Sequence, residues 1–179
     1  MPQPKNQYDP KRDVGAQLRF LNGLMEKMTR QVQHLDMQVN ILIGLSSAIV
    51  VLSISRSGSA FTLSPLLILS TCSGASALVG LFAIHPPKFM RKRKQPESLL
   101  YNKTIMDFPS SSAYERELAT IVGDQSAMTK QYAIEVYNLA RFIYRPKRRL
   151  FKLSRNILLF GIVVSILFFL VQTIITFYP

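Results

Sequence analysis

The groups best suited to chemistry in this chain are Tyr132, Tyr137, Asn138, Arg141 and Tyr144, with Asn102 and Asp107 upstream. Steps of four and three place Tyr137, Arg141 and Tyr144 on one face of a helix. An aromatic face can stack a nucleobase, and an arginine can clasp a phosphate through two parallel hydrogen bonds. The same residues have a simpler reading, in which Tyr137 packs in a core and Arg141 extends its head to lipid headgroups. Residue types alone favour the simpler one. Catalysis lacks its parts: there is no glycine-rich phosphate loop and no Cys or His cluster at metal spacing. His34 and His85 sit at helix boundaries and read as solvated or interfacial, and His34 is two residues from Asp36, on a different helix face. Cys72 is the single cysteine, which excludes an internal disulfide. The expectation is a protein that is not an enzyme and holds no metal and no resident cofactor.

The elements that must position these groups are set by three uncharged runs. Residues 156–177 carry no charge, and 22 residues at ~1.5 Å each give roughly 33 Å of helix, enough to cross a bilayer. A basic collar, Arg145-Pro-Lys-Arg-Arg-Leu-Phe-Lys-Leu-Ser-Arg155, precedes this run. Basic residues stay on the cytoplasmic side during insertion, so the C-terminus is expected outside and the collar inside. The second collar, Lys88-Phe-Met-Arg-Lys-Arg-Lys94, follows the second run and belongs on the same side. The net charge of +12 is concentrated beside the spans: residues 85–155 hold fifteen basic and six acidic side chains, against six and four in residues 1–38. Membrane topology and anionic headgroups account for that distribution, and a nucleic-acid partner is not required.

In chain order, residues 1–13 read as a flexible polar tail, and Met-Pro-Gln-Pro-Lys predicts no cleaved secretory signal. Val14, Leu18, Leu21, Met25, Met28, Val32, Leu35 and Val39 alternate steps of four and three, which predicts an amphipathic cytoplasmic helix over 14–38. It packs either on its own chain or in a coiled coil between subunits. The first span covers 39–55, with Gly44 and Ala48 on one face as a place for close helix approach. Ser64 caps, and Pro65 opens, a second span over 65–85, where Ser73, Ser76, Ala77 and Gly80 form a small-residue seam. His85-Pro86-Pro87 ends it. Residues 86–155 form the cytoplasmic helical sensor module, in which Ser112 and Glu115 have capping-box spacing. One helix is expected from Ala113 to about Tyr144, stopped by Pro146 and packed on the heptad helix. The third span is 156–177. The fold class is thus an all-α membrane protein with three transmembrane helices, N-terminus inside and C-terminus outside. Without an ionisable group at membrane depth, active transport is disfavoured, and Gln172 is expected to bond to a neighbouring helix.

The segment Ala133-Ile-Glu-Val-Tyr-Asn-Leu-Ala-Arg141, followed by Lys147-Arg-Arg-Leu150 and the last span, resembles the signature of the Pycsar transmembrane effectors. Leu35-Asp36 through Ile41-Leu-Ile-Gly44 is similar to that family's Asp-containing approach to its first span, and Leu99-Leu-Tyr-Asn102, Phe108 and Tyr114 follow in similar order. Met37-Gln38-Val39 and Arg145-Pro146 depart from the pattern. The resemblance implies a bacterial antiphage effector of the inner membrane, activated by cyclic UMP or cyclic CMP from a partner pyrimidine cyclase. It implies loss of membrane integrity and abortive infection. It is compatible with a homo-oligomer. On that reading Arg141 takes the phosphate, and Tyr137 and Asn138 the base or sugar. The alternatives are a membrane anchor that recruits a protein through the heptad helix, and a small constitutive channel.

Overall fold

The computed structural model describes residues 14–56, 65–91, 98–99 and 102–177. Among them there are helices and turns but no strand. The helices are α1 (Val14–Arg56), α2 (Pro65–Ile84), α3 (Asn102–Met106), α4 (Ser111–Val122), α5 (Gln125–Asn138) and α6 (Arg145–Phe177). A short 3-10 turn covers Lys88–Arg91, and a π-helical segment covers Leu139–Tyr144. The expected tail at 1–13, the loop and Ser64 cap ahead of α2, the second collar beyond Arg91, and Leu100-Tyr101 lie outside the described residues. The chain divides into two compact units, residues 1–30 with 93–140, and residues 31–92 with 141–179.

In the first unit the start of α1 meets α5 through polar side chains. Gln125 Nε2 donates to Gln17 Oε1 at 2.6 Å, and the Tyr132 hydroxyl donates to Asn22 Oδ1 at 2.9 Å. Leu21, Met25 and Met28 are half-buried, as the heptad spacing requires of a helix packed on a neighbour. The single helix expected from Ala113 to Tyr144 is instead α4 and α5, broken at Gly123-Asp124. The Gly123 N–H closes α4 on the Ala119 carbonyl at 3.0 Å. Asp124 leaves the helical region and caps α5, its carboxylate accepting from the Ser126 N–H at 2.8 Å. That geometry satisfies backbone donors at the new helix start. The cap of α4 is Ser110 rather than Ser112, with the Ala113 N–H donating to Ser110 Oγ at 3.2 Å.

The second unit contains the remainder of α1, with α2 and α6. α1, α2 and the helix that ends in α6 are each long and apolar enough to cross a membrane. Only 17%, 22% and 17% of their apolar windows are buried inside the chain, so most of each apolar window lies on the outer surface of this single chain. The buried face of α1 is Leu35, Val39, Ser46 and Ser53, a repeat of four and seven. Gly44 and Ala48 lie exposed on another face, and a Cβ at Gly44 would touch nothing, so they are not a packing surface within this unit. The seam on α2 is its buried face: Ser73, Ser76 and Gly80 are all buried.

Small residues bring the three helices together. A Cβ at Gly161 would collide with Cys72 of α2, and one at Gly80 would come within 2.7 Å of Ile43 Cγ1 of α1. In the space so created, three fully buried serines link the helices. Ser46 Oγ donates to Ser76 Oγ at 3.3 Å, Ser76 Oγ to the Ser154 carbonyl at 2.9 Å, and Ser154 Oγ to the Ser76 carbonyl at 2.7 Å. Farther along, Ser165 Oγ donates to the Pro65 carbonyl at 2.8 Å. Each bond satisfies a hydroxyl that hydrocarbon cannot, for about 0.5–2 kcal/mol.

Pro146 does not stop the helix. Helical structure runs from Gln125 into the third span, with Leu139–Tyr144 widened to π geometry immediately before the proline. Proline lacks an N–H and clashes with the carbonyl four residues back. A turn with one extra residue moves that carbonyl aside, so the chain continues without a break.

Candidate functional site

Within the first unit, the buried described residues are all polar: Ser98, Glu135 and Asn138. Apolar side chains usually fill such positions. Gln131, Glu135 and Asn138 follow one another at steps of four and three on one face of α5. Gln131 is engaged, its Oε1 accepting from the Leu99 N–H at 3.2 Å. Asn138 is 3% exposed, and neither its Nδ2 nor its Oδ1 has a hydrogen-bond partner among the described residues. A buried amide with one donor group and one acceptor unmet is a costly feature, worth about 1–3 kcal/mol per group, and it is a place for a ligand or water to bind. Beside this line a cavity of about 210 Å³ opens, lined by Leu99, Leu118, Ile121, Val122, Met128, Gln131 and Tyr132.

The three residues singled out by sequence occupy different settings. Asn138 closes α5 in the first unit and is buried, whereas its neighbour Tyr137 is 39% exposed. Arg141 falls in the π-helical segment, in the stretch that belongs to the second unit, and lines a cleft there with Phe89, Met90, Phe142, Arg145, Pro146 and Arg149. Tyr144 is the last residue of the same π-helical segment. It carries the Arg148 guanidinium over its ring, 5.9 Å from the centroid.

Sequence reasoning missed a contact that ties the ends of two candidate spans together. Lys147 Nζ donates to both carboxylate oxygens of Asp36, at 2.6 and 2.8 Å. The lysine side chain is 12% exposed and the carboxylate 36%, so the pair is partly withdrawn from water and joins α1 to α6. A pairing of opposite charges at the edges of two spans was the only available signal.

The Pycsar effector protein domain matches residues 20–172, most of the chain, and reaches into all three candidate spans. The chain belongs to the Pycsar effector family. Asp36 and Lys147, which lie in the two segments that resemble its signature, are joined here in one ion pair. No curated protein and no solved structure matches this Pycsar effector.

Proposed function

We propose that this Pycsar effector is an antiphage protein of the bacterial inner membrane, activated by a cyclic pyrimidine mononucleotide made by a partner cyclase. Family membership supports a membrane effector. Ligand control is supported by the buried Asn138 amide, whose donor and acceptor find no partner among the described residues. Cyclic UMP and cyclic CMP carry base and sugar hydroxyl groups that complement it. In this reading Asn138 contacts the base or sugar and exposed Tyr137 offers a stacking face.

Nucleotide binding then shifts the protein from a resting state to one that breaches the membrane. The ligand can drive this only by binding the second state more tightly. The lipid-facing surface of the spans and the small residues Gly44 and Ala48 left outside the packed face suit assembly of several copies. With the basic collars inside, the N-terminus is cytoplasmic and the C-terminus periplasmic. The test is propidium iodide uptake by cells that express the chain with or without an inducible pyrimidine cyclase. Uptake only when both are present supports the reading. Uptake without the cyclase, or none with it while both proteins are expressed, refutes it.

A further inference from the structure

The basic residues around the start of α6 do not act as one charged collar. Of three consecutive cations, Lys147 is held by Asp36, Arg148 lies over the Tyr144 ring, and Arg149 turns into the cleft with Arg141 and Arg145. The cleft measures about 270 Å³, and no carboxylate among the described residues lines it. Arg145 and Arg149 make no hydrogen bond or ion pair with any described residue. Arginines four residues apart on a helix repel one another, and a concave wall concentrates their field. Such a site is completed by an anion.

The other wall narrows the chemistry. Pro86 and Pro87 fix the chain after α2, and the Met90 N–H closes the following turn on the Pro87 carbonyl at 2.9 Å. This turn presents Phe89, 67% exposed, and Met90, 39% exposed, opposite the arginines, while Phe142 and Pro146 line the same cleft. Inorganic phosphate would use only the guanidinium side. A ligand with one phosphate and an attached ring or chain uses both sides, because guanidinium planes take phosphate oxygens in pairs and aromatic faces take the rest.

We propose that this cleft is a binding site for a net-anionic phosphodiester, with Arg145 and Arg149 joining Arg141 as its phosphate ligands and Phe89 covering the organic part. Two molecules present that chemistry beside the inner end of a span: a cyclic mononucleotide and the headgroup of an anionic phospholipid. The nucleotide source rests on the function proposed above, and the lipid source does not.

The experiment uses the full chain, as wild type, Arg145→Gln/Arg149→Gln, and Arg148→Gln/Lys152→Gln. The second double variant removes the same charge from the same collar but outside the cleft. Binding of cyclic UMP and cyclic CMP is measured by calorimetry in phosphatidylcholine nanodiscs. Retention of phosphatidylglycerol over phosphatidylcholine is measured by native mass spectrometry. Loss of about tenfold or more in one arm for the cleft variant, with the collar variant within about twofold of wild type, establishes the site and names the source. Equal binding by the cleft variant and wild type in both arms overturns it, as does equal loss in the two double variants, or binding of neither probe by wild type. Nucleotide binding unaffected in the cleft variant, with no lipid preference, overturns the cleft but leaves the nucleotide reading intact. A phosphatidylglycerol preference lost in the cleft variant, with no nucleotide bound by wild type, does the reverse.

Discussion

Asn138 gives the most direct access to the ligand question at the level of single residues. Leucine is close to it in size and carries no polar group, so Asn138→Leu removes two unmet hydrogen-bonding groups from a buried position. The ligand-free protein is expected to gain about 1–2 kcal/mol, read as a higher thermal midpoint in detergent, and to lose its response to nucleotide. An asparagine with only a packing role would give the first effect without the second. The Asp36–Lys147 pair predicts the opposite pattern. Lys147→Met and Asp36→Asn each destabilise by about 1–3 kcal/mol, and the combined variant loses less than their sum, as a double-mutant cycle of thermal unfolding checks. The residue types at 137, 138 and 141 mark them in the sequence only as candidates for nucleotide binding. Their burial was not legible, because adjacent positions on a helix face different ways and the direction depends on what packs there. Arg145 and Arg149 read from sequence only as topology signals, since the aromatic wall that makes their cleft comes from a turn more than fifty residues earlier.

Helices that could cross the membrane were legible because long uncharged runs leave the backbone few alternatives in hydrocarbon. The break between α4 and α5 was written in Gly123-Asp124, but helical spacing continues across it through Ile121, Gln125 and Met128 and masks the interruption. The π segment left no such trace: proline predicts a stop, and only the accommodation by the surrounding helix shows that the chain continues. Helix packing followed composition on α2 and departed from it on α1. Gly161 and Gly44 test that distinction. Gly161→Val forces α2 and α6 apart at Cys72 and is expected to destabilise by roughly 1–3 kcal/mol, whereas Gly44→Ala, whose new Cβ meets no described residue, is expected to stabilise the isolated chain by the ordinary helix-propensity gain of about 0.5–1 kcal/mol. If Gly44→Ala instead weakens the assembled state, seen as a smaller species by native mass spectrometry in detergent, the exposed face of α1 is where copies meet. The buried serines give a graded companion test: Ser76→Ala removes bonds to both Ser46 and Ser154 and is expected to cost about 1 kcal/mol, more than Ser46→Ala.

At the scale of the whole molecule, the chain combines a helical unit whose deepest described residues are polar with a set of spans that bury about a fifth of their apolar windows. The proposed ligand-controlled membrane effector would use both, the first offering polar groups to a signal and the second offering surface for lipid and for further copies. Family membership across residues 20–172 supports the membrane-effector part of that reading. The most direct test of the account is leakage of an impermeant dye from liposomes that carry the purified protein, run in parallel with cyclic UMP, cyclic CMP, cyclic AMP and no nucleotide. The account predicts leakage with one of the two pyrimidine nucleotides and none in the other conditions. Leakage in all four would make the protein a constitutive channel, and no leakage in any, with reconstitution verified, would contradict the effector mechanism itself.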